Sequence, residues 1–175
     1  MRVLIVSDQS TEVAKMVSKK INQTGNQSII QQSFSTAAAE TLVWLPTIAT
    51  VDEDVFNLVD AIDQHKITPT KIVMLAVAGI NDEVNPEKLE QRFGHQFGDT
   101  ILAYQYAVKM IDELELPYTI IRAAQVVADK TTSVISNEGQ PVQGTKIGAA
   151  VLVDLIVSAA LTDQYLNQSI GIADD

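Results

Sequence analysis

The sequence alternates short apolar runs with longer segments in which apolar residues recur at helical spacing. This alternation is typical of β-α-β units, in which each helix connects two parallel strands. Strands are predicted at residues 3–6, 28–32, 42–45, 72–77, 118–121 and 169–172, and helices at about 11–22, 52–62, 100–114 and 147–161. The polar stretch 81–98 is predicted to be irregular or to form short helices. The predicted fold class is α/β, a single doubly wound and mainly parallel sheet of five to six strands with helices on both faces.

Right-handed crossovers between these elements predict the strand order 2-1-3-4-5, with a sixth strand at the edge. The length of 175 residues suits one domain over 1–175, without repeats or linkers. Between the second and third strands there are too few residues for a further helix and strand. Ligands of such sheets bind at the carboxyl ends of the strands, so candidate site residues are sought there.

Charge and composition exclude several classes of function. Twelve basic residues against 22 acidic residues give a net charge of −10, which disfavours nucleic acid and an anionic membrane surface as partners. No apolar run reaches the ~18 residues that span a bilayer, and the first residues do not resemble a signal peptide. The absence of cysteine excludes disulfides and thiolate metal sites. We expect a cytoplasmic protein, and no metal site from the isolated His65 and His95.

A lysine-bearing helix leads into a distinctive strand. Lys109 lies on the predicted helix, and the strand reads Tyr-Thr-Ile-Ile-Arg over residues 118–122. This unit resembles that of atypical short-chain dehydrogenases of the NmrA-like, NAD(P)H-binding kind, in which a proline stands where this chain has Ala123. With the order of the other elements, the resemblance covers most of the chain. It implies a Rossmann-like fold and NAD(P) as a possible cofactor.

The first strand-to-helix turn departs from that family. The family has a glycine-rich GATGxxG turn, whereas this chain has Ser7, Asp8, Gln9 and Ser10, followed by Thr11. Side chains here would hold a diphosphate away from the backbone amides. A carboxylate ~4 Å from a phosphate costs about 1 kcal/mol in water and about 4 kcal/mol at an effective dielectric near 20, against ~0.3–1 kcal/mol from a helix dipole. Two alternatives stay open: a self-capped helix without ligand, or a residual dinucleotide or anion site.

Further cofactor-binding candidates follow the other strands. Gln31 and Gln32 lie where a ribose would be met, but glutamine indicates neither NAD nor NADP. Pro46 follows the third strand, and Ala76 lies where the family has its catalytic serine. Arg122 ends a buried strand, so it has either a ligand-binding or a structural role. Asp82 and Glu83 are interpreted as loop charges rather than as paired catalytic carboxylates.

The family's catalytic Tyr-x-x-x-Lys pair is incomplete, because a glutamine stands four residues before Lys109. The candidate catalytic residues are therefore Lys109 with Tyr106 or Tyr104, although neither tyrosine has the family spacing. Alternatively, Lys109 is a solvated helix lysine that pairs with Asp112 or Glu113.

The departures predict a weak dinucleotide binder or a pseudoenzyme, with a small molecule as its partner that the sequence does not identify. The alternatives are a regulatory module that binds a small molecule or a protein, and a noncanonical NAD(P)-dependent oxidoreductase. The helix at 147–161 is apolar on nearly all sides, which predicts burial within the fold or, alternatively, a homodimer contact.

Overall fold

The computed structural model describes residues 1–8 and 11–174, and these form nine strands and five helices. The strands are β1 (Arg2–Val6), β2 (Gln27–Gln31), β3 (Thr41–Trp44), β4 (Lys71–Val77), β5 (Tyr118–Ala123), β6 (Gln125–Val127), β7 (Val134–Ser136), β8 (Lys146–Gly148) and β9 (Gln168–Ala173). The helices are α1 (Glu12–Gln23), α2 (Val51–Asp63), α3 (Pro86–Phe93), α4 (Phe97–Glu113) and α5 (Ala149–Leu161). No helix within these described residues is long and apolar enough to cross a membrane.

Seven strands form one sheet in the order β2-β1-β3-β4-β5-β9-β7. All neighbours pair in parallel except β7, which runs antiparallel to β9 at the edge. The predicted order 2-1-3-4-5 is confirmed, and β9 is the sixth strand, but it does not form the edge, because β7 pairs with its outer side and makes a sheet of seven strands instead of five to six. The chain passes from β2 to β3 on the other side of β1 without a helix, as the short connection predicted. A separate two-stranded sheet pairs β6 with β8.

Helices cover both faces of the sheet, so the doubly wound prediction is also confirmed. On one face, α1 and α5 pack against alternate side chains of the central strands, such as Val43 and Val73. On the other face, α2 and α4 pack against the intervening side chains, such as Leu42 and Met74. Strands that are buried on both faces need apolar residues throughout, which explains their continuous apolar runs.

Helix α5 begins two residues later than the sequence predicts. Residues 146–148 form β8, which pairs with β6, and the helix starts at Ala149. Seven of its side chains are buried, so burial within one chain accounts for its apolar character. The homodimer stays a prediction, which light scattering at high protein concentration tests.

The polar stretch 81–98 contains one regular helix, α3, and the start of α4. Asn85 caps α3, because its side-chain oxygen accepts a hydrogen bond of 2.8 Å from the Glu87 N–H. Pro86 occupies the first helical position, where its missing N–H costs no hydrogen bond. This helix places Arg92 beside the carboxyl ends of the strands.

Candidate functional site

Two cavities lie at the carboxyl ends of the central strands and share Pro46 as a wall. The first, here called the polar cavity, has a volume of about 350 Å³. The second, the apolar cavity, has a volume of about 460 Å³. Both volumes fall in the range of small-molecule sites. The sequence-predicted residues Asp8 and Gln32 line the polar cavity, and Ala76 and Tyr104 line the apolar cavity.

Helix α2 supplies much of the wall of the polar cavity. Its polar residues at positions 54, 57 and 60, together with Gln64 at its C-terminal cap, recur every three or four residues and therefore lie on one helical face. With Asp8, the carboxylates in the lining are Asp54 and Asp60, and Lys66 is the one cation among the described lining residues. The excess of carboxylates makes this cavity unfavourable for a phosphate group.

Aromatic residues form the floor of the polar cavity. Trp44 is buried at the end of β3, and its ring meets the Phe34 ring edge to face at a centroid distance of 5.8 Å. Both residues line the cavity as well as belonging to the core on the α2 side of the sheet. Trp44 is therefore at once a core residue and part of the cavity wall.

The turn after β1 carries its own helix cap. The Ser7 N–H donates to the Gln31 carbonyl at 3.0 Å, and Ser7 itself is buried. Thr11 caps α1, because its Oγ1 accepts a hydrogen bond of 3.3 Å from the Ala14 N–H. The predicted binding residues Gln9 and Ser10 lie outside the described residues.

The Asp8 carboxylate lines the polar cavity and forms a hydrogen bond to a residue that lines the apolar cavity. Its Oδ2 accepts a hydrogen bond of 3.0 Å from Oγ1 of Thr47, which lines the apolar cavity. Its Oδ1 is buried and has no hydrogen-bond partner among the residues described. Nearby, Thr50 donates to Asp54 at 2.7 Å in the same manner. A half-satisfied buried carboxylate is costly unless a donor approaches it, so Asp8 limits which groups this turn accepts.

Tyr104 is the predicted catalytic residue that reaches a cavity. It is 3% exposed, and burial raises the pKa of its hydroxyl to about 12. The nearby positive charge of Arg92 opposes this rise only in part. Tyr104 therefore keeps its proton at neutral pH and can donate a hydrogen bond, but it is poorly suited to act as a base.

Lys109 and Tyr106 face away from both cavities. The Lys109 side chain is 71% exposed, and its Nζ lies 3.7 Å from Glu113 Oε1 one turn later on α4. This is the geometry of the solvated-lysine alternative. The Tyr106 ring contacts Phe56 of α2 on the surface, with centroids 5.6 Å apart. The structure therefore does not bring the three candidate catalytic side chains together.

Arg122 is completely buried in an ion pair instead of lining either cavity. Its Nη1 lies 2.5 Å from Glu83 Oε1, its Nε donates to Ser169 Oγ at 3.0 Å, and neither charged side chain is more than 2% exposed. Glu83 is a loop residue, as expected, but its carboxylate is buried. Burial acts to raise the pKa of Glu83, and hydrogen bonds from the Gly79 N–H and Arg122 outweigh it, so the pKa lies below its ordinary value. The arrangement matches the structural alternative for Arg122.

A third cavity of about 180 Å³, here called the basic cavity, adjoins the apolar cavity. Arg92 and Ala124 line both. Lys88 and Lys146 complete the basic lining. Burial lowers the pKa of Arg92 to about 10, and its Nη1 donates to the Ala123 carbonyl at 2.9 Å. Sequence analysis missed Arg92 because short helices were only one alternative for the stretch 81–98, and neither the bounds of α3 nor its position against the sheet was predicted.

No group of three or more His, Cys, Asp or Glu side chains in the described part of the chain could hold a metal ion. His95 pairs with Glu90 at the surface, and His65 lies in an exposed turn.

Comparison with known proteins identifies the family to which this chain belongs. The model of a protein family described as NAD(P)H-binding matches residues 7–163, which is most of the chain. The chain belongs to this NAD(P)H-binding family. The resemblance inferred from the Lys109 helix and the strand after it is therefore confirmed at the level of the family. No curated protein matches the sequence.

Solved structures of NAD(P)-related proteins share the fold. A short-chain dehydrogenase/reductase of Veillonella parvula in complex with NADP has 17% identity and a TM-score of 0.77, over 99% of this chain and 94% of that one. A Rossmann-fold NAD(P)-binding family protein of Shigella flexneri has 15% identity and a TM-score of 0.72, over 99% and 94%. An anaerobilin reductase of Escherichia coli O157:H7 has 13% identity and a TM-score of 0.71, over 98% and 96%. At such identities these likenesses show the fold alone.

The groove fits the ends of a dinucleotide better than its middle. The polar and apolar cavities are each large enough for a ring system, and they adjoin at Pro46, which lines both; together they are called the groove. The turn after β1 presents the Asp8 carboxylate at the position where the family has the backbone amides of glycines. The residues present therefore fit the rings of NAD(P) and fit its diphosphate poorly.

Proposed function

We propose that the protein binds an NAD-type dinucleotide weakly and lacks the acid–base pair of conventional short-chain dehydrogenases. The observation that supports this proposal is the pair of adjoining cavities, polar and apolar, that lie at the carboxyl ends of the strands and share Pro46 as a lining residue. In this proposal Gln32 and Trp44 hold the adenosine end, and Ala76 and Tyr104 hold the nicotinamide end. The separation of Tyr104 from Lys109 on α4 supports the second half of the proposal, that of a pseudoenzyme.

The charges of the polar cavity favour NADH over NADPH. The 2′-phosphate of NADPH would add negative charge beside Asp54 and Asp60, with Lys66 as the one compensating cation among the described lining residues. An unphosphorylated ribose presents hydroxyl groups, to which carboxylates are suitable acceptors. NADH is therefore expected to bind more tightly than NADPH.

Asp8 is the expected cause of weak binding. A carboxylate about 4 Å from a phosphate costs roughly 1 to 4 kcal/mol, depending on the local dielectric. Replacing Asp8 by Asn keeps an oxygen that can accept from Thr47 and removes the charge. The affinity for NADH is then expected to rise at least about fivefold.

The single tryptophan provides the assay. Trp44 is the only tryptophan of the chain and lines the polar cavity, so its fluorescence reports ligand binding there. NADH is titrated at low salt into the wild type, D8N and the control variant D129N. Asp129 is an exposed acidic residue that lines none of the three cavities, so D129N removes a negative charge away from them. The proposal expects quenching that saturates, with D8N binding more tightly and D129N unchanged. No quenching and no heat in wild type and D8N at millimolar NADH would contradict it.

A noncanonical oxidoreductase is the second candidate, and the position of Tyr104 favours it. A nicotinamide cofactor, when bound, supplies hydride chemistry. Tyr104 lines the apolar cavity in its protonated form, where it can donate a hydrogen bond to a carbonyl oxygen of a substrate. The test is NADH oxidation with a small quinone as acceptor. Turnover in wild type that Tyr104→Phe reduces, with unchanged NADH affinity, supports this candidate, and absence of turnover refutes it for this acceptor class.

If neither NADH nor NADPH binds at millimolar concentration, a regulatory module with a different ligand in the same groove becomes the better explanation. Binding of another small molecule would then quench Trp44 where both dinucleotides fail to do so.

A further inference from the structure

The basic cavity combines three cationic side chains with no carboxylate among the described residues that line it. Arg92, Lys88 and Lys146 come from α3 and β8, which are far apart in sequence and meet only in the fold. The chain as a whole carries 12 basic and 22 acidic residues. A cavity with only basic charges is therefore contrary to the average composition of this protein and points to an anionic ligand.

Arg92 lacks the partner that a partly buried guanidinium usually has. One of its five N–H donors binds the Ala123 carbonyl, and its Cζ lies 4.7 Å from the centroid of the Phe93 ring. No carboxylate of the described residues lies within ion-pair distance of it. By contrast, the buried Arg122 pairs with Glu83 at 2.5 Å. A partly buried charge without a counter-ion is less well stabilised than a fully solvated one, so an arriving anion gains more here than at an exposed cation.

The two lysines extend this positive field to the mouth of the cavity. Lys88 and Lys146 are both exposed, and neither forms an ion pair within the part of the chain that the structure describes. Their flexible ammonium groups can approach an anion that the planar guanidinium of Arg92 orients. Such a division of roles suits a carboxylate, which accepts two parallel hydrogen bonds from arginine.

The adjoining apolar cavity defines the rest of the ligand. Arg92 and Ala124 belong to both cavities, so a molecule can occupy both at once. The apolar cavity is lined by aliphatic residues such as Leu75, Val77 and Val126. A volume of about 180 Å³ accommodates a carboxylate group and its first atoms, while a ring or aliphatic body fills the neighbouring space.

We propose that the protein binds a small organic acid, with its carboxylate held by Arg92, Lys88 and Lys146 and its apolar body in the apolar cavity. The apolar body of the acid would lie in the cavity proposed above for the nicotinamide end, but the carboxylate site is separate from the polar cavity and binding of the acid does not require the dinucleotide. The proposal therefore goes beyond the proposed function, and its test is carried out without any nucleotide present.

The experiment compares three probes by NMR titration of the ¹⁵N-labelled protein. Benzoate carries both the charge and the apolar ring, benzamide carries the ring without the charge, and acetate carries the charge without the ring. The amide signals of Ala124 and Thr145, which line the basic cavity, report occupancy. Benzoate is expected to bind at least about fivefold more tightly than either of the other probes, and more weakly as salt is added. Equal affinity of benzamide and benzoate would overturn the proposal.

Matched variants locate the charge that matters. K88Q and K146Q each remove an exposed lysine, so neither is expected to affect folding, and each should weaken benzoate binding about threefold to tenfold. K19Q removes an exposed lysine on α1 away from the cavity and should leave the affinity unchanged. R92Q should cause the largest loss, with circular dichroism confirming its fold. If K88Q and K146Q bind benzoate as K19Q does, the assignment of this site is wrong.

Discussion

Replacing Glu83 by Gln tests the buried ion pair that fixes the loop between β4 and α3. The Glu83 carboxylate accepts three hydrogen bonds, from the Arg122 guanidinium at 2.5 Å, the Gly79 N–H at 3.0 Å and the Asn81 N–H at 2.7 Å. Glutamine has a similar shape but only one accepting oxygen. The substitution therefore leaves the Arg122 charge buried without its counter-ion and places an NH₂ group against a backbone donor.

The expected loss of stability follows from the burial of both partners. The side chains of Arg122 and Glu83 are 0% and 2% exposed, so solvent screens their interaction very little. Removing one partner of a buried pair costs about 3–5 kcal/mol. For a domain of this size, 1 kcal/mol shifts the melting temperature by roughly 2–4 °C. E83Q should therefore melt about 6–20 °C below wild type.

Calorimetry or circular dichroism measures the shift, with Glu113→Gln as a matched control. Glu113 pairs with Lys109 at the surface, where both side chains are more than half exposed, so E113Q should cost less than about 1 kcal/mol. The pKa of Glu83 is lowered by folding, so the stability it contributes is present above the ordinary glutamate pKa of 4.5 and is lost as the pH falls through the lowered value. The difference between wild type and E83Q should accordingly shrink in acid. Equal melting temperatures of E83Q and E113Q at neutral pH would refute the reasoning.

Three further predictions concern packing and titration. Gly148→Ala should destabilise the fold strongly, because a Cβ there would lie 1.7 Å from the backbone oxygen of Lys130. The control Gly98→Ala, on α4, adds a Cβ that meets no atom within 4 Å and should be neutral or stabilising. Chemical denaturation compares the free energies of unfolding of the two variants. Ultraviolet difference titration of wild type against Tyr104→Phe should show that Tyr104 ionises only near pH 12, and a transition near pH 10 would contradict its burial. Ile156→Ala should lower the free energy of unfolding by about 2–5 kcal/mol, because the Ile156 side chain of α5 is fully buried in the core. A loss below about 1 kcal/mol would mean that this helix packs loosely.

The main strands and their order could be predicted from the sequence because burial determines both. A parallel strand that is covered on both faces must be apolar at successive positions, and the run at 72–77 shows this directly as β4. The three-residue strands β6, β7 and β8 have no such local pattern. They exist because Gln125–Val127 pairs with Lys146–Gly148, and because Val134–Ser136 pairs with the last strand. Pairing between distant segments leaves no periodicity in a single sequence.

The site could be predicted only where it follows the strand ends. Asp8, Gln32, Pro46 and Ala76 were predicted by that rule, and the structure places them in the lining of the polar or the apolar cavity. Arg92 was missed because it belongs to a helix in a polar stretch whose position depends on tertiary packing.

The contribution of α2 to the polar cavity could have been recognised from the sequence. Asp54, Asn57 and Asp60 recur at intervals of three on a helix whose apolar residues point to the core, which is the pattern of a polar face. The positions of Lys109 and Tyr106 were harder to predict, because adjacent helical residues differ by about 100° in direction and the sequence alone does not show which direction meets the cavity.

The chain passes directly from β2 to β3 on the other side of β1, so β2 is an edge strand, here called a border of the sheet. No other described strand pairs with its outer side. The Ser28 N–H on that border already donates to Asn22 Oδ1 at 2.9 Å, so the backbone groups there are only partly available to a further strand, and the opposite border, β7, is only three residues long. The polar residues Gln27, Ser28 and Gln31 make self-association through β2 unfavourable, while Ile29 is 48% exposed in its middle. The longer exposed border of the sheet is therefore a five-residue segment whose polar side chains flank one exposed isoleucine.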